Sequence, residues 1–572
     1  MTTPTSTGDA PGGVTLAAPS VGSLPDAATL ARWANEIFAA VPGAPPQPPT
    51  NAPIPGAPIP RAPVPGAGAP TAAAPPAPAI SAADSSSANA ASGFPFFAPL
   101  VNAELPRLGA HDLSHPALPV VPLAGHLSAP ALATPAPAAA AAPSFYFLQD
   151  PGIPALPRGN GHPAFDVLSI RRDFPILSTR VHGRPLVWFD NAATTQKPTA
   201  VIDRLTYFYQ HENSNIHRAA HELAARATDA YENARRQVQR FLGAASPDEV
   251  VFVRGATEAI NLVAQSWGRK KISAGDEIIV SHLEHHANIV PWQMLALERG
   301  AHLKVIPVDS TGQLRLDEFQ RLLTERTKIV SIAHVSNALG TVTPVKEVAE
   351  IAHRAGATVL IDGAQSISHM PIDVKSLGAD FFVFSGHKVF GPTGIGALYG
   401  RQEVLKDMPP WQGGGNMIED VTFERSSYQR PPTRFEAGTG NIADAVGLGA
   451  ALEYLTVVGM PNVERYEAQL LAYATERMLT VPGLTLLGTA AHKASVLSFV
   501  IKGLEPTAIG SALNQEGIAV RAGHHCAQPI LRRFGYETTV RASLALYNTF
   551  EEVDALVLAL RQLAASPAKA YR

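Results

Sequence analysis

The sequence predicts an α/β protein: a large domain on a mainly parallel sheet covered by helices, a smaller α+β C-terminal domain, and a long disordered arm before both. Three observations predict it. From about residue 165, short apolar runs alternate with amphipathic stretches, as strands buried on both faces do between crossover helices. Beyond Gly438 helical patterns dominate, with short strands near 494–501 and 518–521. Residues 1–150 hold 29 of the 51 prolines and no lysine, a composition that buries too little apolar surface to offset its ordering entropy. The expected divisions are 1–150, 165–437 and 438–572, with a segment before the large sheet contributing to the small domain.

The arm reads as extended and partly polyproline-like. Its arginines are Arg32, Arg61 and Arg107, and seven carboxylates leave it acidic. Three islands interrupt it. Asp26 can cap a short helix on which Leu30, Trp33 and Ile37 form one apolar stripe. Phe94, Phe96 and Phe97, and then Phe145, Tyr146 and Phe147, are aromatic clusters. They are either residual hydrophobic contacts or docking motifs for a partner.

In the folded part, residues 249–253, 277–280, 328–332, 358–361 and 380–384 read as strands, and 203–209, 317–323 and 345–353 as helices. The net charge of −3 gives no field to steer nucleic acid. A single cysteine excludes an intramolecular disulfide and a thiolate metal cage. The sequence shows neither a secretory leader pattern nor an apolar span, so a soluble cytoplasmic protein without a membrane partner is expected.

The chemistry sits at strand ends. Lys388, in Ser385-Gly-His-Lys388, leaves a buried strand; desolvation there lowers an amine's pKa and suits it to a Schiff-base role. The alternative is an ordinary surface lysine. Asp362 ends the preceding strand, 26 positions earlier, where α/β proteins bind ligands; the alternative is a helix cap. Gly255, Ala256 and Thr257 open a helix after the strand at 249–253, an arrangement that offers N–H groups to a phosphate. His282, His285 and His286, and likewise His524, His525 and Cys526, hold metal-ligand residue types without a recognised ligand spacing, so no metal is expected. His285 is better suited to lie flat on a ring. Cys526 has two histidines before it and Arg521 five residues earlier; cationic neighbours on a loop favour a thiolate nucleophile.

Together these segments resemble the class V aminotransferase family, and within it the Suf-type cysteine desulfurases and selenocysteine lyase-like enzymes. The resemblance covers about 165–572 and includes Asp190-Asn-Ala-Ala-Thr-Thr195, Asn215-Ile-His-Arg218, Glu284–Trp292, His334–Thr341, Asp362-Gly-Ala-Gln365, Ser385–Lys388, Arg434–Thr439, Arg521–Cys526 and Val540–Asn548. It implies a fold-type I enzyme carrying pyridoxal 5′-phosphate. Lys388 would hold the cofactor, Asp362 its ring nitrogen and Gln365 its hydroxyl, with His285 on the ring. Ala256, Thr257, Ser385 and His387 would hold the phosphate, and Thr439 would reach that of the partner subunit in a homodimer. Asn337 and Arg541 would position the carboxylate of L-cysteine, and Cys526 would accept its sulfur. A SufE-like protein would take the persulfide onward. Gly440 departs from the proline expected after Thr439. The arm is the larger departure and resembles the loading segment of desulfurases carried in encapsulin shells, so a shell protein is an expected partner of residues 1–150. Other readings are a selenocysteine lyase, another class V lyase or aminotransferase, and a scaffold working through its arm.

Overall fold

The structure, a computed structural model, describes residues 165–217 and 221–566. The arm at 1–150 and its three apolar islands lie outside the described residues.

The large sheet has seven strands: β1 (Val250–Val253), β2 (Glu277–Ser281), β3 (His302–Ile306), β4 (Thr327–Ala333), β5 (Thr358–Asp362), β6 (Phe381–Ser385) and β7 (Gly396–Gly400). Their order is β1-β7-β6-β5-β4-β2-β3. Only β7 runs antiparallel to its neighbours β6 and β1, so the sheet is mainly parallel, as expected. Alternation along each strand divides its side chains between two cores. Phe252, Ile279, Val330, Ile361 and Phe384 face one, and Val251, Ile278, Ile329, Leu360 and Val383 the other. Both faces are apolar because both are covered. On the first lie α1 (Thr199–His211), α2 (Glu222–Leu242) and α4 (Val345–Arg354); on the second lies α3 (Ala256–Val263).

The small sheet is antiparallel, in the order β8 (Leu484–Leu487), β9 (Val496–Ile501), β11 (Thr539–Ser543) and β10 (Arg521–Gly523). It shares a core with α6 (Met460–Leu479) and α7 (Phe550–Ala565). α7 starts at a capping box in which the Thr549 hydroxyl accepts from the Glu552 amide and Glu552 accepts from that of Thr549.

The division expected at Gly438 falls just before a helix that packs with the large sheet's core. Helix α5 (Ile442–Val458) packs against α1 and α2, beside the large sheet; Met460 and Val463 at the start of α6 still join that core, and Tyr466 is the first residue of α6 in the small sheet's. The reason is steric: a Cβ on Gly449 would lie 3.1 Å from the Ala234 Cα of α2, so the bare glycine lets the helices approach closely. Composition marks α5 as apolar but not which core receives it.

A segment before the large sheet joins both domains. Val187–Trp188 forms a parallel ladder with Ile518–Ala519, and Asn191 donates to the Ser543 carbonyl at 2.7 Å. A few residues further on the same segment meets the large domain, where the Thr195 amide donates to the His387 carbonyl at 2.9 Å. Among the described residues no single helix is long and apolar enough to cross a membrane.

Candidate active site

The carboxyl ends of β4, β5 and β6 face the small domain across a cavity of about 230 Å³. It is lined by Lys388, Cys526, His285, Asp362, Gln365, Ala256, Thr257, Ser385, His387, Asn337 and Arg541. Every expected site residue except Thr439 is therefore at its wall. Thr439 is exposed after the turn Thr433–Phe435 and does not line the cavity.

The floor is built by strand ends. Asp362 is buried at the end of β5, where burial raises its pKa while the Ala364 amide at 2.9 Å and the charge of Lys388 pull it down. Lys388 lies on the short turn after β6. Burial lowers its pKa, Asp362 raises it, and Arg541 lowers it again, so its amine is easier to deprotonate than a surface lysine's. Gln365 donates to the Ala192 carbonyl at 2.8 Å, which fixes its amide plane.

At one end the helix α3 begins at Gly255 without a cap from that residue, so that beyond the Ala256 amide, which Ser385 takes, the next N–H groups of the first turn are left for an anion. Gly255 has φ of +154°, and a Cβ there would meet Ser385 Oγ at 2.9 Å, so this entry to the helix calls for glycine. Ser385 Oγ accepts from the Ala256 amide at 2.9 Å. Burial, helped by Lys388 and Lys197, pushes His387 down to about 4.

His285 follows β2 on a rigid support. Burial, then Lys388, His286 and Arg541, push it down to about 3, and its Nδ1 accepts from the Ala287 amide at 3.1 Å. The ring is thus neutral with its proton on Nε2. Beneath it Glu284 is fully buried, accepting from Ser281 Oγ and from Asn288 Nδ2 at 2.7 Å. Asn288 Oδ1 accepts from Trp292 Nε1 at 3.0 Å.

Burial pushes Glu284 up to about 7 from its ordinary 4.5. The folded chain therefore keeps a proton that the unfolded chain releases, and stability falls as pH rises from about 4.5 to about 7. Glu284→Gln should remove that slope, gaining up to about 3 kcal/mol on the parent between pH 4.5 and pH 8. Thermal melts of both proteins across this range check it; parallel curves would contradict it.

The opposite wall belongs to the small domain. Arg541 on β11 is buried and donates to Asp190 Oδ1 at 3.1 Å and to the Asn337 carbonyl at 3.0 Å. Its Nε is buried without a partner. Arg521 on β10 approaches the other Asp190 oxygen at 3.5 Å. Asn337 gives its amide donor to the His525 carbonyl at 2.6 Å, and its Oδ1 has no partner. Cys526 is half-buried on the following turn. The expectation of cationic histidines beside it is corrected for His525: burial and the two arginines push that ring down to about 3. The cations near the thiol are Lys388, Arg521 and Arg541.

Sequence reading missed Asp190 as the partner of both arginines and His525 as a wall residue. Both lie inside motifs quoted for the resemblance, but their partners are hundreds of positions away or on another strand.

A family profile described as aminotransferase class-V matches residues 187–556. A cysteine desulfurase of Synechococcus elongatus is 68% identical over 403 residues, covering 70% of this chain and 64% of that protein. A probable cysteine desulfurase of Mycolicibacterium paratuberculosis is 66% identical over 403 residues, covering 70% and 59%. The chain thus spans about six-tenths of the length of these curated relatives. An Escherichia coli cysteine desulfurase is 49% identical over 400 residues, covering 70% of this chain and 98% of that one. Among solved structures, the Escherichia coli cysteine desulfurase CsdA matches with a TM-score of 0.65 at 40% identity, covering 70% of this chain and 98% of its own. The apo cysteine desulfurase of Thermococcus onnurineus matches at 0.67 and 38%, with the same coverage.

The cavity fits pyridoxal 5′-phosphate, the cofactor of class V enzymes. It offers the first turn of α3 and Ser385 for a phosphate, a buried carboxylate for a ring nitrogen, and a buried amine for an aldehyde. From the matched profile and the full-length match to shorter relatives, this chain belongs to the aminotransferase class-V family.

Proposed function

We propose that the protein is a cysteine desulfurase that converts L-cysteine to L-alanine and receives the sulfur on Cys526 as a persulfide. The observation that carries this reading is the convergence of Lys388, Arg541 and Cys526 on one cavity. A lyase or aminotransferase of the same fold has no need of a thiol there.

When bound, pyridoxal 5′-phosphate supplies an electron sink that makes the substrate's α-carbon acidic and eases departure of its sulfur. Asp362 would hold the proton on the ring nitrogen, and His285, kept neutral by burial, would stand against the cofactor. Arg541 would pair with the substrate carboxylate in the cavity that Lys388 also lines. The Lys388 amine takes the proton from the substrate's α-carbon. Cys526 Sγ, as thiolate, attacks the substrate sulfur: an S–S bond forms, the substrate's C–S bond breaks, and the β-carbon takes a proton. The balance is L-cysteine plus the Cys526 thiol giving L-alanine plus the Cys526 persulfide.

The test is intact-mass measurement of the cofactor-loaded protein after L-cysteine. One added sulfur per chain, removable by a reducing thiol and mapped to Cys526, is expected. Added sulfur that maps to a residue other than Cys526, or alanine and sulfide formation at the parent rate in Cys526→Ala, would overturn the reading.

The finer proposals concern partners and place: a homodimer in which Thr439 approaches the neighbouring cofactor, a SufE-like acceptor of the persulfide, and a cytoplasmic enzyme held as cargo in an encapsulin shell through residues 1–150. Supporting the last are the arm's composition and its apolar islands at Leu30, Trp33 and Ile37. Deleting residues 1–150 should leave the desulfurase rate within about twofold while eliminating co-migration with a co-expressed shell protein. Equal co-migration of both forms would refute the cargo role.

A further inference from the structure

The turn carrying Cys526 adopts a backbone that L-residues avoid. His525 and Cys526 both have φ of +52°, two successive non-glycine residues in the left-handed region, and such strain persists only where the surroundings over-determine it. Four contacts do so. The His286 amide donates to the Cys526 carbonyl at 2.8 Å. The Cys526 amide donates to His524 Nδ1 at 3.0 Å. Asn337 holds the His525 carbonyl at 2.6 Å. The fourth contact joins His525 Nε2 to Thr539 Oγ1 at 2.8 Å.

That fourth contact differs from the others. Thr539 is fully buried on β11 and lies opposite Gly523, the residue from which the turn departs. It shares a strand face with Arg541, two residues on. The other ring nitrogen of His525, Nδ1, is buried without a partner. The Thr539 hydroxyl is therefore the ring's one hydrogen-bond partner among the described residues. No motif drew attention to it, and it does not line the cavity.

We propose that Thr539 is a positioning residue for sulfur acceptance: through His525 it locks the left-handed turn and so holds Cys526 at the cavity wall that also carries Arg541. The proposal rests on Cys526 being the sulfur acceptor. A rigid strand then fixes, from one face, both the group that orients the substrate's carboxylate and the group that orients the attacking thiol. Without the hydroxyl a buried imidazole nitrogen loses its partner, and the turn can relax towards ordinary φ values, taking the thiol off line.

The test compares Thr539→Val, which keeps the shape and removes the hydroxyl, with Thr539→Ser, which keeps the hydroxyl. Both are prepared as cofactor-loaded full chains. Because the chain has one cysteine, alkylation by iodoacetamide reads Cys526 alone. For the valine variant, single-turnover persulfide formation should slow roughly tenfold or more. Its alkylation rate should change several-fold, while KM for L-cysteine and the spectral change on adding L-cysteine stay within about twofold of the parent. Serine should restore both rates. Parent-like persulfide and alkylation rates in the valine variant would overturn the proposal. So would serine failing as valine does, or a valine variant that loses the cofactor's spectral response, because either marks a packing role. Cys526→Ala run alongside separates the two readings. If that variant forms sulfide normally, the acceptor assignment fails; if it is inactive while the valine variant is normal, only the role of Thr539 fails.

Discussion

Lys388→Ala is expected to abolish turnover, with a loss of at least about a thousandfold. The same side chain is assigned two tasks: bonding the cofactor and moving the proton at the substrate's α-carbon. Among the cavity-lining residues it is the only lysine. Lys197 is close to this region, its pKa pushed down to about 8 by burial, but its amine is bonded to the Thr195 carbonyl and it does not line the cavity. The visible absorbance of the bound cofactor should shift in this variant, and alanine formation from L-cysteine should fall to background. The fold should survive, because Lys388 lies on a turn outside the apolar cores. Residual alanine formation near the parent rate would show that another amine does this work, and Lys197 would be the next to replace.

For Cys526→Ala we expect retention of the cofactor and of the spectral response to L-cysteine, together with loss of sulfide release by at least about a thousandfold. Binding precedes the attack of the thiol on sulfur, so early spectral changes should persist or accumulate while persulfide is absent from the mass spectrum. The separation is clean because the residues that hold the substrate and cofactor come from other elements: Arg541 from β11, Asp362 from β5 and Lys388 from the turn after β6. Selenocysteine, whose selenium leaves more readily than sulfur, should still turn over. Full sulfide release from L-cysteine by this variant would show that Cys526 does not accept the sulfur.

Much of the site was legible because parallel sheets place ligand chemistry at strand ends. Strand ends can be read from one sequence when the strands are continuous apolar runs. Asp362 and Lys388 each follow such a run, and the structure puts both on the cavity floor. The Gly255–Thr257 helix start was legible for the same reason, a strand followed at once by a helix entry. Thr439 was carried by resemblance alone, and in the single chain it lies away from the cavity.

What the sequence by itself determined is the local chemistry: which segments are buried strands, which residue ends each of them, and that one thiol stands in a loop rich in polar neighbours. Tertiary structure alone decided three other things. It assigned α5 to the large domain, because the close contact of Gly449 with Ala234 depends on two helices more than two hundred positions apart. It made His525 neutral, because burial beside two arginines outweighs the ring's ordinary affinity for a proton. And it joined Asp190, Arg521 and Arg541 into one ion group, and Thr539 to His525, across separate strands. The physical reason is common to all three: desolvation, charge pairing and close packing depend on distance in space, whereas a sequence records only distance along the chain.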